Sequence, residues 1–243
     1  MAVLVVTGTG TEVGKTVTTA VLARAALAAG RSVAVLKPAQ TGVSGDERGD
    51  VDEVVRLAGG VTAVELARFP DPLAPATAAR RAGLAPVGAR ETADAAAKLA
   101  TDHDLVLVEG AGGLLVRFDA AGSTLADAAR LLGAPVLLVA SAGLGTLNTT
   151  ALTAEALRAR GVDLLGVVVG SWPGAPDLAA RCNLADLPAV ADAPLLGAVP
   201  EGAGAYEPVA FRAAAAGWVA PPLDGTWDAT RFTAEQAPVR GSL

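Results

Sequence analysis

Nine residues, Gly8-Thr9-Gly10-Thr11-Glu12-Val13-Gly14-Lys15-Thr16, constrain this chain more than any others. They follow the apolar run Val3-Leu4-Val5-Val6 and precede a long alanine-rich stretch of helical spacing at 15–29. A strand that ends in a glycine-rich turn and continues as a helix gathers the helix's N-terminal amides onto one point, at the positive end of the dipole. That point attracts an anion. Gly14-Lys15-Thr16 is the order expected of a loop that cradles phosphates, with lysine on the terminal phosphates and the threonine hydroxyl on Mg²⁺. One detail departs from the common spacing: glycine is wanted at Thr9, and Gly8 and Gly10 flank it instead. The backbone of Glu12, Val13, Gly14, Lys15, Thr16 and Val17 is the expected nucleotide-binding segment.

The rest of the chain repeats the same alternation. Val- and Leu-rich runs recur at 3–6, 33–36, 105–108, 136–139, 164–169 and 195–199. Several are continuously apolar, as strands covered on both faces are in parallel sheets. Alanine-rich helical stretches at 15–29, 50–58, 91–101, 124–132 and 147–160 lie between them. The expectation is a single α/β domain over residues 1–220, a mostly parallel sheet flanked by helices, of the phosphate-loop NTP hydrolase type. Residues 59–90 are rich in Pro, Gly and Ala and read as an excursion with short helices. Residues 221–243 lose periodicity and read as a loosely structured tail.

Composition narrows the function classes. With 243 residues, 52% of them hydrophobic and 18% charged, the chain can bury a real core. A net charge of −6 argues against a basic face for nucleic acid or anionic lipid. Cys182 is the single cysteine, so there is no disulfide framework and no thiolate metal cluster. No basic leader precedes a long apolar core, and no run approaches the roughly 20 apolar residues of a membrane span. A cytoplasmic location is expected.

Two further strand ends carry chemistry. The run at 33–36 leads into Lys37-Pro38, and proline holds Lys37 extended, so its ammonium can emerge at the carboxyl edge of the sheet. The run at 105–108 delivers Glu109 and then Gly110-Ala111-Gly112-Gly113, a carboxylate for a magnesium ion followed by amides free to approach an anion. The only histidine, His103, precedes a buried strand and reads as structural.

Taken in order, GTGTEVGKT, KPAQTG, VEGAGG and GLGTLN resemble the dethiobiotin synthetase family over about residues 3–219. That resemblance implies an ATP-dependent ligase acting on 7,8-diaminopelargonate. One amine takes up CO₂ to form a carbamate, the γ-phosphate of ATP passes to it as a mixed anhydride, and the second amine closes a cyclic urea, releasing ADP and phosphate. It also implies roles. Lys15 and Lys37 supply countercharge and Thr11 meets the carbamate. Thr41 holds the diamine. Gly110, Ala111 and Gly112 line the phosphate edge. Mg²⁺ falls to Thr16, Glu109 and an acid after Thr41, taken as Asp50 because Gly49-Asp50 opens a helix, with Asp46 and Asp52 as alternatives. A homodimer is implied, in which Gly145, Thr146, Leu147 and Asn148 of one subunit receive the substrate carboxylate of the other. Gly170 and Ser171, with Pro200, Glu201 and Gly202, flank the base. The family often has an Asn-Asp pair where this chain has Gly170-Ser171, so weak discrimination between bases is expected.

Two other classes share the loop. Partitioning and septum-placing ATPases carry an early loop lysine and a membrane helix or basic DNA face, whereas this chain has Thr9-Gly10, an acidic balance and a proline-interrupted tail. Cobyrinate-type amidotransferase synthetases carry a glutaminase domain with a cysteine nucleophile, for which one Cys and one His offer little.

Overall fold

The computed structural model describes residues 2–237. In chain order the elements are β1 (Val3–Gly8), α1 (Lys15–Ala28), β2 (Val33–Thr41), α2 (Asp50–Ala58), β3 (Thr62–Phe69), α3 (Pro75–Ala82), α4 (Ala89–Leu99) and β4 (Leu105–Gly113). There follow α5 (Leu125–Leu132), β5 (Val136–Ala140), α6 (Thr146–Arg158), β6 (Leu164–Trp172), α7 (Leu178–Ala191), β7 (Leu195–Pro200), α8 (Pro208–Ala214) and α9 (Ala229–Gln236). The strands form one seven-stranded sheet in the order β3-β2-β4-β1-β5-β6-β7. Every pairing between named strands is parallel.

The apolar runs are the central strands. Val5, Val6, Val106, Leu107, Val108, Leu137 and Leu138 are fully buried, because helices cover both faces. One core cluster packs α1, α2 and α7 on one side, and a second packs α4, α5 and part of α6 on the other. The succession of strands runs to one side of β1 for β2 to β4 and to the other side for β5 to β7, and at such a switch point the carboxyl ends of the strands open a crevice. The phosphate loop stands there.

Two regions differ from the sequence-based expectation. The excursion at 59–90 contains β3, an edge strand paired to β2 from Ala34–Thr62 to Thr41–Phe69. Its residues TAVELARF are mostly half-buried, as one exposed edge allows, so no apolar run announces it. Residues from 221 onward are also not loose as far as they are described. Leu223 and Trp227 are buried in the main core, and Phe232 of α9 packs against both Trp172 and Trp227 at centroid distances of 5.4 and 5.3 Å. A few large aromatics anchor this segment without periodicity. Residues 238–243 lie outside the described residues. No helix among the described residues is long and apolar enough to cross a membrane.

Candidate active site

The site is built from strand ends. Gly14 caps α1 in the left-handed conformation, φ 93°, and Glu12 before it is also left-handed, φ 59°, which costs a non-glycine residue about 1–2 kcal/mol. The loop is stacked directly on the end of β6. A β-carbon on Gly170 would lie 2.1 Å from the Val13 carbonyl oxygen, and one on Gly14 would lie 2.3 Å from the carbonyl oxygen of Gly170. Glycine at 170 is therefore a steric requirement of the loop's position.

Beside the loop lies a cavity of about 710 Å³, within the range of small-molecule sites. Of the residues expected from sequence, Thr11, Glu12, Gly14, Lys15, Thr16, Val17, Lys37, Thr41, Asp50, Ala111 and Gly112 line it. Glu109 does not line it but lies behind the lining side chains of Thr16 and Lys37: it is buried, with its carboxylate Oε1 accepting from the Thr16 hydroxyl at 2.9 Å and from Lys37 Nζ at 2.9 Å. Lys37 Nζ also donates to the Gly110 carbonyl at 3.1 Å and pairs with Asp50. The ammonium is thus enclosed by two carboxylates and a carbonyl. Burial disfavours its charge, but Glu109 and Asp50 outweigh burial and its pKa is raised. Lys15 behaves oppositely. Its Nζ donates to the Gly10 carbonyl at 2.8 Å, and burial, followed by the Lys37 charge, lowers its pKa against the smaller pull of Glu109 and Asp50.

The acids after Thr41 separate by geometry. Asp50 opens α2 and reaches Lys37. Asp52 accepts from the Gly49 amide at 2.8 Å and completes the cap of α2, whereas Asp46 stands exposed outside the cavity. The Thr16 hydroxyl and the Glu109 and Asp50 carboxylates are all hard oxygen donors. No cluster of three or more His, Cys, Asp or Glu side chains suited to a metal occurs among the described residues. This set fits Mg²⁺, which takes one or two carboxylates and fills its remaining positions with phosphate oxygens and water.

Not every expected residue lines the cavity. Val13 and Gly170 are packed against each other behind the loop. Ser171, Glu201 and Gly202 are exposed, and the two segments that carry them are joined where the Glu201 amide donates to the Trp172 carbonyl at 2.8 Å. They form a shelf next to the first turn of α1, where a β-carbon on Gly204 would stand 3.1 Å from Val17 Cγ2. Gly145, Thr146, Leu147 and Asn148 start α6 and lie outside the cavity of their own chain, and no side chain caps that helix.

Four contributors were missed, the first being Val116, which follows β4 and lines the cavity. Pro72, Leu73, Ala74 and Pro75, in the loop after β3, form one wall. Gln40 lines the cavity and accepts from the Asp50 amide through its Oε1 at 2.8 Å, fixing the start of α2. Arg68 of β3 donates to the Glu65 carboxylate and to the Gly45 and Glu47 carbonyls, tying down the loop before Asp50. Only Gln40, placed inside KPAQTG, carried a signal in the sequence.

The fold has relatives among solved structures. The cell division ATPase MinD of Pyrococcus furiosus superposes with a TM-score of 0.53 at 21% identity, over 83% of this chain and 84% of that one. A ParA family ATPase from Chlorobium tepidum reaches 0.56 at 11% identity, over 96% and 97%. At those identities the likeness is one of fold alone. A family model described as an AAA domain matches residues 2–207. Sequence relatives go further. The ATP-dependent dethiobiotin synthetase BioD of Streptomyces avermitilis is 75% identical over 98% of this chain and 100% of its own length. That of Saccharopolyspora erythraea is 69% identical over 93% and 99%, and that of Frankia casuarinae 59% over 96% and 98%. Identity of this order, spanning both the loop and every strand end that meets it, means that the chain belongs to the dethiobiotin synthetase family.

Proposed function

We infer that the chain catalyses ATP-dependent formation of dethiobiotin from 7,8-diaminopelargonate and CO₂. The observation that carries this reading is the enclosure of Lys37 by Glu109 and Asp50 beside a phosphate loop, in a chain of this family.

The reaction gathers negative charge: a carbamate meets a triphosphate, and a phosphoryl group moves between them. Such transfer is mainly positioning and charge stabilisation. One amine of the substrate adds to CO₂ and loses a proton. A carbamate oxygen attacks the γ-phosphorus as the bond to the β-phosphate oxygen breaks. The second amine then attacks the carbamoyl carbon, phosphate leaves, a proton is lost and the cyclic urea closes. Lys15, held by the Gly10 carbonyl, exchanges that partner for the terminal phosphates. Lys37, already charged, faces the carbamate and the transferring phosphoryl group, which it stabilises without further reorganisation. Thr11 lies at the carbamate and Thr41 at the diamine. The amides from Glu12 to Val17 hold the phosphates, and Gly110 to Gly112 line their edge. Thr16, Glu109 and Asp50 would hold Mg²⁺, which would supply charge neutralisation at the triphosphate. Gly170, Ser171, Pro200, Glu201 and Gly202 form the base side.

The working unit is a homodimer in the cytoplasm, and the start of α6, Gly145 to Asn148, receives the partner's substrate carboxylate at the positive end of its dipole. The exposed Leu115 and Leu152 line an apolar recess of about 310 Å³, Leu144 stands exposed just before α6, and these leucines suit a subunit contact.

Product analysis tests the reading. Diaminopelargonate, bicarbonate, Mg²⁺ and ATP with the purified chain should give the cyclic urea by mass spectrometry, one ADP per ring. ATP hydrolysis without cyclic product would overturn it.

A further inference from the structure

The nine-residue helix α2 has Asp50 at its first position, in the cavity, and Arg56 in its last turn, outside it. Glu53 grips the Arg56 guanidinium from one turn back, with Oε2 accepting from Nε at 2.8 Å and Oε1 from Nη2 at 2.5 Å. The outward donors leave the helix altogether. Nη2 donates to the Gly204 carbonyl, and Nη1 to the Tyr206 carbonyl at 3.2 Å. Those carbonyls belong to the segment that begins Pro200-Glu201-Gly202. Its near end is fastened to β6 through the Glu201 amide and the Trp172 carbonyl, and its middle rests on Val17, one residue from Thr16. Arg212 adds a second tie, donating from Nε and Nη2 to the Leu57 and Arg56 carbonyls at 3.0 and 3.1 Å.

We propose that Arg56 is a positioning residue for the nucleotide: it clamps the base-side segment 200–206 to α2, so that the helix presenting Asp50 to the phosphates also fixes the shelf at the other end of the ligand. This rests on the reading of residues 170–171 and 200–202 as the base side. The physics favours a clamp over an incidental surface pair. Both carbonyl bonds have a charged donor, which roughly doubles their strength over neutral ones. The guanidinium is already held in its fork by Glu53, so little side-chain freedom is lost in making them. Arg56 reaches neither the phosphate loop nor Lys37, so its effect falls on nucleotide affinity and not on the chemical step.

The test compares Arg56→Gln and Arg56→Lys in steady-state kinetics and in direct titration with a fluorescent ADP analogue. Arg56→Gln is expected to raise the ATP KM and the analogue's Kd about tenfold, the loss of ~1.4 kcal/mol. The kcat should stay within about twofold, the diamine KM should not move, and Arg56→Lys should recover part of the affinity. A lowered melting temperature with both KM values and the analogue's Kd unchanged would overturn the proposal, leaving Arg56 a purely structural tie. Ser171→Trp, which fills the shelf, separates the two layers of the reading. If it raises the ATP KM while Arg56→Gln does not, the shelf stands and the clamp falls. If it changes nothing, the shelf reading fails and the clamp fails with it.

Discussion

Lys37 Nζ lies 2.9 Å from Glu109 Oε1, and the two side chains, 3% and 1% exposed, form a buried ion pair whose lysine lines the cavity. The Thr16 hydroxyl shares the same carboxylate oxygen. One buried acid therefore ties the phosphate loop to β2, and the buried Glu109 charge is balanced by Lys37, which Asp50 also pairs.

Losing one partner should cost both rate and stability. Lys37→Ala is expected to lower turnover about 10²–10³-fold, as removal of a preorganised charge donor does. Stability should fall by about 3–5 kcal/mol, because Glu109 is left buried and unpaired. The double variant Lys37→Met/Glu109→Gln should regain most of the stability and none of the activity. Denaturant melts alongside steady-state rates check this, and a fully stable Lys37→Ala would contradict it.

The two lysines should differ in reactivity towards amine-acylating reagents. Lowering a lysine pKa enlarges its free-amine fraction at a given alkaline pH, and raising it does the reverse. Lys15 is lowered and Lys37 raised and enclosed, so acetylation at about pH 9 should reach Lys15 first. Bound ATP should protect it. The stabilising effect of the Lys37 charge is present at all pH values below the ordinary lysine pKa and is lost only as pH rises through the raised value. Peptide mass mapping over time decides the order, and earlier modification of Lys37 would refute it.

Asp50→Asn removes one anionic oxygen beside Lys37, so the Mg²⁺ concentration for half-maximal activity should rise. Asp46→Asn, remote from the cavity, should leave it unchanged. Paired Mg²⁺ titrations give the answer, and a shift only in Asp46→Asn would reassign the ligand.

Gly170→Ala places a β-carbon 2.1 Å from the Val13 carbonyl oxygen and must displace the phosphate loop. The cost should be at least the 1–3 kcal/mol or so of overpacking, with a raised ATP KM. Gly174→Ala, with nothing within 4 Å of its added carbon, is the control and should stay within about 0.5 kcal/mol of the parent. Equal melting curves for the two variants would show that the loop adapts.

No side-chain amide stands at Gly170-Ser171, and a site rejects a wrong base strongly only when its own buried polar groups would go unpaired. CTP, GTP and UTP should therefore support turnover within about tenfold of ATP. A preference for ATP above a hundredfold, measured with all four nucleotides, would mean that main-chain groups near Ser171 or Glu201 read the base.

Local physics made much of this chain readable. The phosphate loop, the starts of α1 and α2 and the central strands were legible because each depends on residues close in sequence: glycine with lysine and threonine at a strand end, a cap, or an unbroken apolar run buried on both faces. Lys37 and Glu109 could be nominated because each follows an unbroken apolar run, although the structure continues β2 and β4 four residues beyond them, whereas the choice of Asp50 over Asp46 and Asp52 rested on the family resemblance. What only the tertiary structure decided were relationships between elements. Edge strand β3 lacks a buried face pair and so lacks an apolar run. The wall at Pro72–Pro75 enters the site only because β3 lies beside β2. Trp227 and Phe232 order the segment after 221 through a few large contacts that have no period. Gly170 must be glycine because of a carbonyl 157 positions earlier, at Val13. The bond from Arg56 to the Gly204 carbonyl spans 148 positions. A one-dimensional pattern records a residue's own environment, and contacts of that separation exist only once the sheet has set the order of its strands.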